Sequence, residues 1–170
     1  MLTKRTRAPK LIGDFGEGLV TYALIRKGFE VAYVDHVGAD LIAKKGEDRP
    51  IAVSVKTRLF KPNSNESRMV VIDKSSLDKL DFFAELFALE PVFAQVVCLA
   101  DENLIHLFMI RAADIRANFT GIKSGFSLQF SKDKVNKLKG EPWIAYCCWE
   151  AEQIGNYDFQ TAASCPEKRE

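Results

Sequence analysis

Apolar residues recur at helical spacing near the start of the chain. Phe15, Leu19 and Tyr22, with Val20, Ala23 and Leu24, make a broad apolar face on one helix. Gly13-Asp14-Phe15-Gly16-Glu17 opens that helix, and Gly28 stops it after Lys27. The pattern then changes to strand runs. Phe29 to Val34 predicts a first strand, Asp40 to Lys45 a second and Ile51 to Thr57 a third. Pro50 stands at the entry of the third, where proline is tolerated. Arg58 to Val70 reads as a long polar loop, of the kind that binds a partner or lacks order. Ser75, with Asp78 three residues on, caps a second helix. Its buried face is Leu77, Leu80, Phe83, Ala84 and Phe87, and Pro91 ends it. Val92 to Ala100 is a nearly continuous apolar run, which predicts a strand buried on both faces. Leu104 to Ile110 is a further strand, Arg111 to Asn118 a short helix and Phe126 to Phe130 a strand. Ser131 caps a lysine-rich helix to Leu138, and Trp143 to Trp149 is the last strand.

This order, α-β-β-β-α-β and then more strands with a short helix, predicts an α/β fold with a mixed central sheet. The first helix packs on one face and the second on the other. One domain spans 13–159, after a basic arm at 1–12 and before a polar tail at 160–170. The chain of 170 residues is long enough for one sizeable core, and no repeat divides it.

Composition excludes several classes. No apolar run approaches the ~20 residues of a membrane span. The basic N-terminus lacks an apolar signal segment, so a cytoplasmic protein is expected. Four cysteines without CxxC spacing and two histidines make a structural zinc site a poor fit. Cys147 and Cys148 are read as reduced core residues, and His106 as structural. The glycines of the first helix do not form a dinucleotide fingerprint, and no strand precedes them. Net charge is +1, but the cations cluster. Arg58, Lys61 and Arg68 group on the polar loop, and Lys132, Lys134 and Lys137 on the late helix. Such patches can track phosphates while the chain as a whole stays near neutral, but each taken alone reads first as a solvated face, the ordinary setting of lysine.

Chemistry concentrates on the hairpin of the second and third strands. Folding it about the turn at 46–49 sets Asp40 opposite Val55, give or take one residue, and so beside Ser54 and Lys56. Period two places Ala52, Ser54 and Lys56 on one face and the core residues Ile51, Val53 and Val55 on the other. Asp40 and the backbone carbonyl of Val55 could hold a hydrated Mg2+ (or Mn2+), with Lys56 beside it. Glu17 is either a second carboxylate or, with Asp14, half of a capping box. The alternative for Asp40 and Lys56 is a cross-strand ion pair.

Gly13-x-x-Gly16-Glu17, Gly38-Ala39-Asp40-Leu41-Ile42 and Ala52-Val53-Ser54-Val55-Lys56 resemble the PD-(D/E)XK nuclease superfamily. The likeness is greatest to its branch of small endonucleases with a helix-borne glutamate, typified by archaeal Holliday junction resolvases. The resemblance spans about Gly13 to Ala100. It implies a restriction-endonuclease-like αβββαβ core and a metal-dependent endonuclease acting on DNA, branched DNA included, while the residues themselves leave DNA or RNA open. It also implies Asp40 and Glu17 as metal ligands and Lys56 as the catalytic lysine. Ser54 stands where that family carries Glu, Asp or Gln, and the residue before Asp40 is Ala39 rather than Pro. The alternative is a degenerate nuclease fold that binds nucleic acid without cutting it. A homodimer is left open.

Overall fold

The computed structural model describes residues 7–60 and 68–150. The first helix, α1, runs from Ala8 to Arg26, so it starts before Gly13 and takes in part of the expected arm. Pro9 explains the early start: it lies in the first turn, where its missing N–H costs nothing and its fixed φ suits a helix. Asp14 and Glu17 are therefore in the helix interior, and the capping-box reading of Glu17 falls. The C-terminus behaves as expected. Gly28 has φ +83°. The Phe29 N–H bonds to the Leu24 carbonyl at 3.1 Å and the Gly28 N–H to that of Ile25 at 2.9 Å, closing a Schellman motif.

Strands β1 (Glu30–His36), β2 (Ala39–Lys44) and β3 (Ile51–Phe60) follow. β3 continues beyond Thr57, so Arg58 belongs to a strand and not to the loop. The far end of the expected loop is also ordered, as β4 (Met69–Asp73). Lys61 lies outside the described residues. Helix α2 (Lys74–Leu86) has Asp73 at its N-cap, and Ser75 is inside it rather than at its cap. It closes at Ala88, φ +54°, before Pro91 is reached. Phe87 falls just past its last turn and is exposed, not buried. Pro91 is instead part of β5 (Glu90–Leu99). Then come β6 (Leu104–Arg111), α3 (Ala112–Asn118), β7 (Gly121–Ile122), β8 (Gly125–Gln129), α4 (Lys132–Leu138) and β9 (Ile144–Glu150). Ser131 stands at the N-cap of α4 without a side-chain capping bond.

Six strands form the central sheet in the order β1-β2-β3-β5-β6-β9. Only β3 and β5 run parallel, joined by the crossover that carries α2. Strands β4, β8 and β7 form a second, smaller sheet that was not expected. α1 covers one face of the central sheet through Val20 and Leu24 against Leu41, Val53, Val55 and Ala94. Phe15 and Tyr22, expected in that face, are about half exposed. On the other face, α2 sets Leu80 and Phe83 against Ala39 and Ala52. The second sheet covers the rest of that face, through Ile72, Leu128 and Phe130 against Phe93 and Phe108. With both faces covered, Ala52 and Ser54 are as buried as Val53 and Val55. Cys148, on the edge strand β9, is exposed rather than core, while Cys147 is half-buried. Among the described residues, no helix is long and apolar enough to cross a membrane.

Candidate active site

The site forms where two strands part. The β2–β3 ladder runs Ala43 to Ile51, Ile42 to Ala52 and Leu41 to Val53, and stops there. β3 goes on to Phe60, paired on its other side with β5 as far as Leu99. β3 is thus left without a ladder partner on its β2 side from Ser54 onward. Asp40 closes the gap with its side chain, its Oδ2 accepting the Val55 N–H at 2.6 Å. The carboxylate takes over where the backbone ladder ends, satisfying a buried donor. The N–H and C=O of a strand residue point to the same side, so the Val55 carbonyl faces the same notch. The Lys56 carbonyl faces the opposite way and accepts the Gln95 side-chain N–H at 3.0 Å.

Each expected residue has a distinct setting. Ser54 is buried, Asp40 half-buried and Lys56 exposed. Glu17 is half-buried on α1 and close enough to feel the charges of Asp40 and Lys56. Its carboxyl is pushed above the usual range by burial first, then by the negative charges of Asp40 and Asp14, with Lys56 opposing. A raised pKa means that the folded protein holds this proton more tightly than the unfolded chain. Ionised Glu17 therefore costs stability above its folded pKa, and the cost disappears as pH falls through that value. In EDTA, Glu17→Gln is expected to raise Tm at pH 7 and to leave it unchanged below about pH 3, where the carboxyl is protonated in both states. Equal Tm values for the two proteins across the range would remove the electrostatic argument.

Glu17 is held in place by its neighbour. A Cβ on Gly16 would lie 1.8 Å from Thr57 Oγ1, so α1 touches β3 here with no room for a side chain. Gly16→Ala gains about 1 kcal/mol of helix propensity but forces this contact apart, at a typical overpacking cost of about 1–3 kcal/mol. A net fall in Tm is expected, with recovery in the Gly16→Ala/Thr57→Ala double variant. A stabilised single variant would show that the contact is loose.

Gln95 was hidden in an apolar run. It is fully buried, in register with Lys56 on β5, and its Nε2 donates to the Lys56 and Val96 carbonyls, each at 3.0 Å. A lone amide within a strand buried on both faces was the available signal. The described basic residues are spread over separate parts of the fold. Arg58 stands two residues beyond Lys56 on β3, its guanidinium 5.6 Å from the centre of the Phe60 ring. Arg68 pairs with both Asp101 and Glu102 at the β5–β6 turn, so a phosphate there would have to compete with two carboxylates. Lys132, Lys134 and Lys137 are carried by α4. His106 is buried in β6, its Nδ1 2.9 Å from the Tyr146 hydroxyl, in keeping with a structural role.

The donors present suit a hard, hydrated divalent cation. Two carboxylates that repel one another in a half-buried notch are short of positive charge, and Mg2+ needs only one or two carboxylates besides water. Among the described residues, no group of three or more His, Cys, Asp and Glu is placed to bind a metal.

No protein-family model and no curated protein matches the chain. Among solved structures, it is similar to Hjc, a Holliday junction resolvase from the archaeal hyperthermophile Archaeoglobus fulgidus. The TM-score is 0.54 at 17% identity, covering 74% of this chain and 88% of that one. At that identity the likeness is one of architecture, and the fold is restriction-endonuclease-like: α/β, with a mixed six-stranded central sheet flanked by helices.

Proposed function

We propose that the protein is a divalent-metal-dependent endonuclease of the PD-(D/E)XK type that hydrolyses phosphodiester bonds of DNA, with branched DNA as its substrate class. The observation that carries this reading is the meeting of Glu17, Asp40 and Lys56 at the notch beside β3. The named activity of the structural neighbour supports the choice of branched DNA over RNA.

Asp40, Glu17 and the Val55 carbonyl would hold Mg2+ or Mn2+, which supplies Lewis acidity toward a phosphate oxygen and an acidified water. The chain's own contributions can be stated separately. Asp40, held by the Val55 N–H, presents its carboxylate in a fixed place without further reorganisation. Lys56 offers an ammonium at the open side of the notch, where negative charge builds up on the phosphate. Gln95 holds the backbone of that lysine from behind. Ser54 adds a neutral hydroxyl, so two carboxylates carry the charge of the site.

The test is incubation of the full chain with supercoiled plasmid and with a four-way junction, in Mg2+, in Mn2+ and in EDTA. Cleavage that requires the divalent ion is expected. Intact DNA in every divalent condition would overturn the enzyme reading. It would instead favour a fold that binds nucleic acid without turnover, a second reading suggested by the neutral, buried Ser54.

A further inference from the structure

A cleft of about 580 Å3 opens away from the notch, between the end of α3, strands β7 and β8, helix α4 and the approach to β9. Its size is within the roughly 300–1,000 Å3 of small-ligand clefts. Two aromatic rings shape it. Phe119 and Trp143 meet edge to face, with centroids 5.5 Å apart and planes at 82°. The Trp143 indole N–H is already given to Glu141 Oε2 at 3.1 Å. What the indole has left to offer a ligand is therefore its π surface. Lys134 and Lys137 line the same cleft, one helical turn apart on α4. Neither pairs with a carboxylate among the described residues. Leu128 closes the apolar side.

We propose that this cleft is a second nucleic-acid site, which takes one unpaired nucleobase against Trp143 and its flanking phosphates on Lys134 and Lys137. A stacking surface combined with cations is the chemistry of single-strand binding. Residues three apart share a helix face, so Lys134 and Lys137 can meet two successive phosphates, which favours a strand over a free nucleotide. Glu141 stands at the indole edge and turns the phosphates toward the α4 side. This inference rests on residues that share nothing with the notch and does not require the protein to be a nuclease.

The experiment is done in EDTA with the full chain carrying Trp149→Phe, so that Trp143 is the sole indole reporter. Four probes are titrated: a short single-stranded oligonucleotide, the same strand with abasic sites, its duplex, and a deoxynucleoside monophosphate. The expected result is quenching of Trp143 by the single strand, with binding roughly 5- to 150-fold tighter than to the abasic strand. With binding read instead by the anisotropy of a fluorescein-labelled strand, Trp143→Ala should remove that difference and Trp143→Phe should keep most of it. Lys134→Ala with Lys137→Ala should weaken both strands and flatten the salt dependence. Equal affinity for base-bearing and abasic strands, or equal affinity for strand and duplex, would overturn the proposal. So would a monophosphate that binds as tightly as the strand. Because no cleavage is read, failure here leaves the nuclease reading standing, and the reverse also holds.

Discussion

Replacing Lys56 by alanine is expected to lower divalent-dependent nicking by at least about 100-fold, the usual cost of removing one preorganised charge-stabilising donor. The side chain is exposed, so its loss opens no cavity, and Tm should change by no more than about 2 °C. Asp40→Ala should be as damaging to activity and should also destabilise. It removes the acceptor for the Val55 N–H, and a bond to a charged group contributes about 1.5–3 kcal/mol. Asp40→Asn separates the two effects. It retains an oxygen for that N–H and most of the stability, but loses the charge and therefore the cleavage. Cleavage that survives both Lys56→Ala and Asp40→Asn would sink the site assignment.

The second large effect is expected at Ser54. The position is only 5% exposed, and its register partner on β5 is Phe93. A glutamate placed there must leave water among carboxylates that already repel. In EDTA, Ser54→Glu should cost several kcal/mol, the effective penalty of burying an unpaired charge. Millimolar Mg2+ or Mn2+ should then recover much of the loss, because an ion that binds only the folded state stabilises it by mass action. The recovery should exceed any Mg2+-induced rise in Tm of the natural protein. Ser54→Gln, with the same bulk and no charge, should show little dependence on the ion. If Ser54→Glu remains equally unstable with and without divalent ions, the notch is not a metal site.

The hairpin at the centre of this arrangement is legible in the sequence. The period-two alternation of Val53, Ser54, Val55 and Lys56 and the turn at 46–49 fixed the hairpin to within a residue. The ladder ends at Leu41 and Val53, and carrying its register one residue further sets Asp40 opposite Ser54, inside the expected margin. Gly28 marked the end of α1 because a left-handed φ is needed there. What could not be read depended on distant partners. β4 is a short strand behind a polar run, and its pairing residues on β8 lie more than fifty positions away. The burial of Ala52 and Ser54 depends on a covered second face, which strand period alone does not report. Phe87 looked like the next helical core position, but the helix ends at Leu86 and Phe87 is its C-cap, just before the turn at Ala88. The Gly16–Thr57 contact is a matter of how closely a helix approaches a sheet, and no local pattern encodes that distance.

The Val55 amide hydrogen is bonded to a carboxylate rather than to a peptide oxygen. Its nuclear magnetic resonance frequency and its exchange with deuterated solvent therefore follow the state of Asp40. An ion or a phosphate group that draws on the Asp40 oxygens will loosen or polarise that hydrogen. The amides of Val53 and Ala52, within the regular ladder, will stay as they are. Were the notch to take such a group, the Val55 amide would report its occupancy from the centre of the sheet, without a label or a turnover.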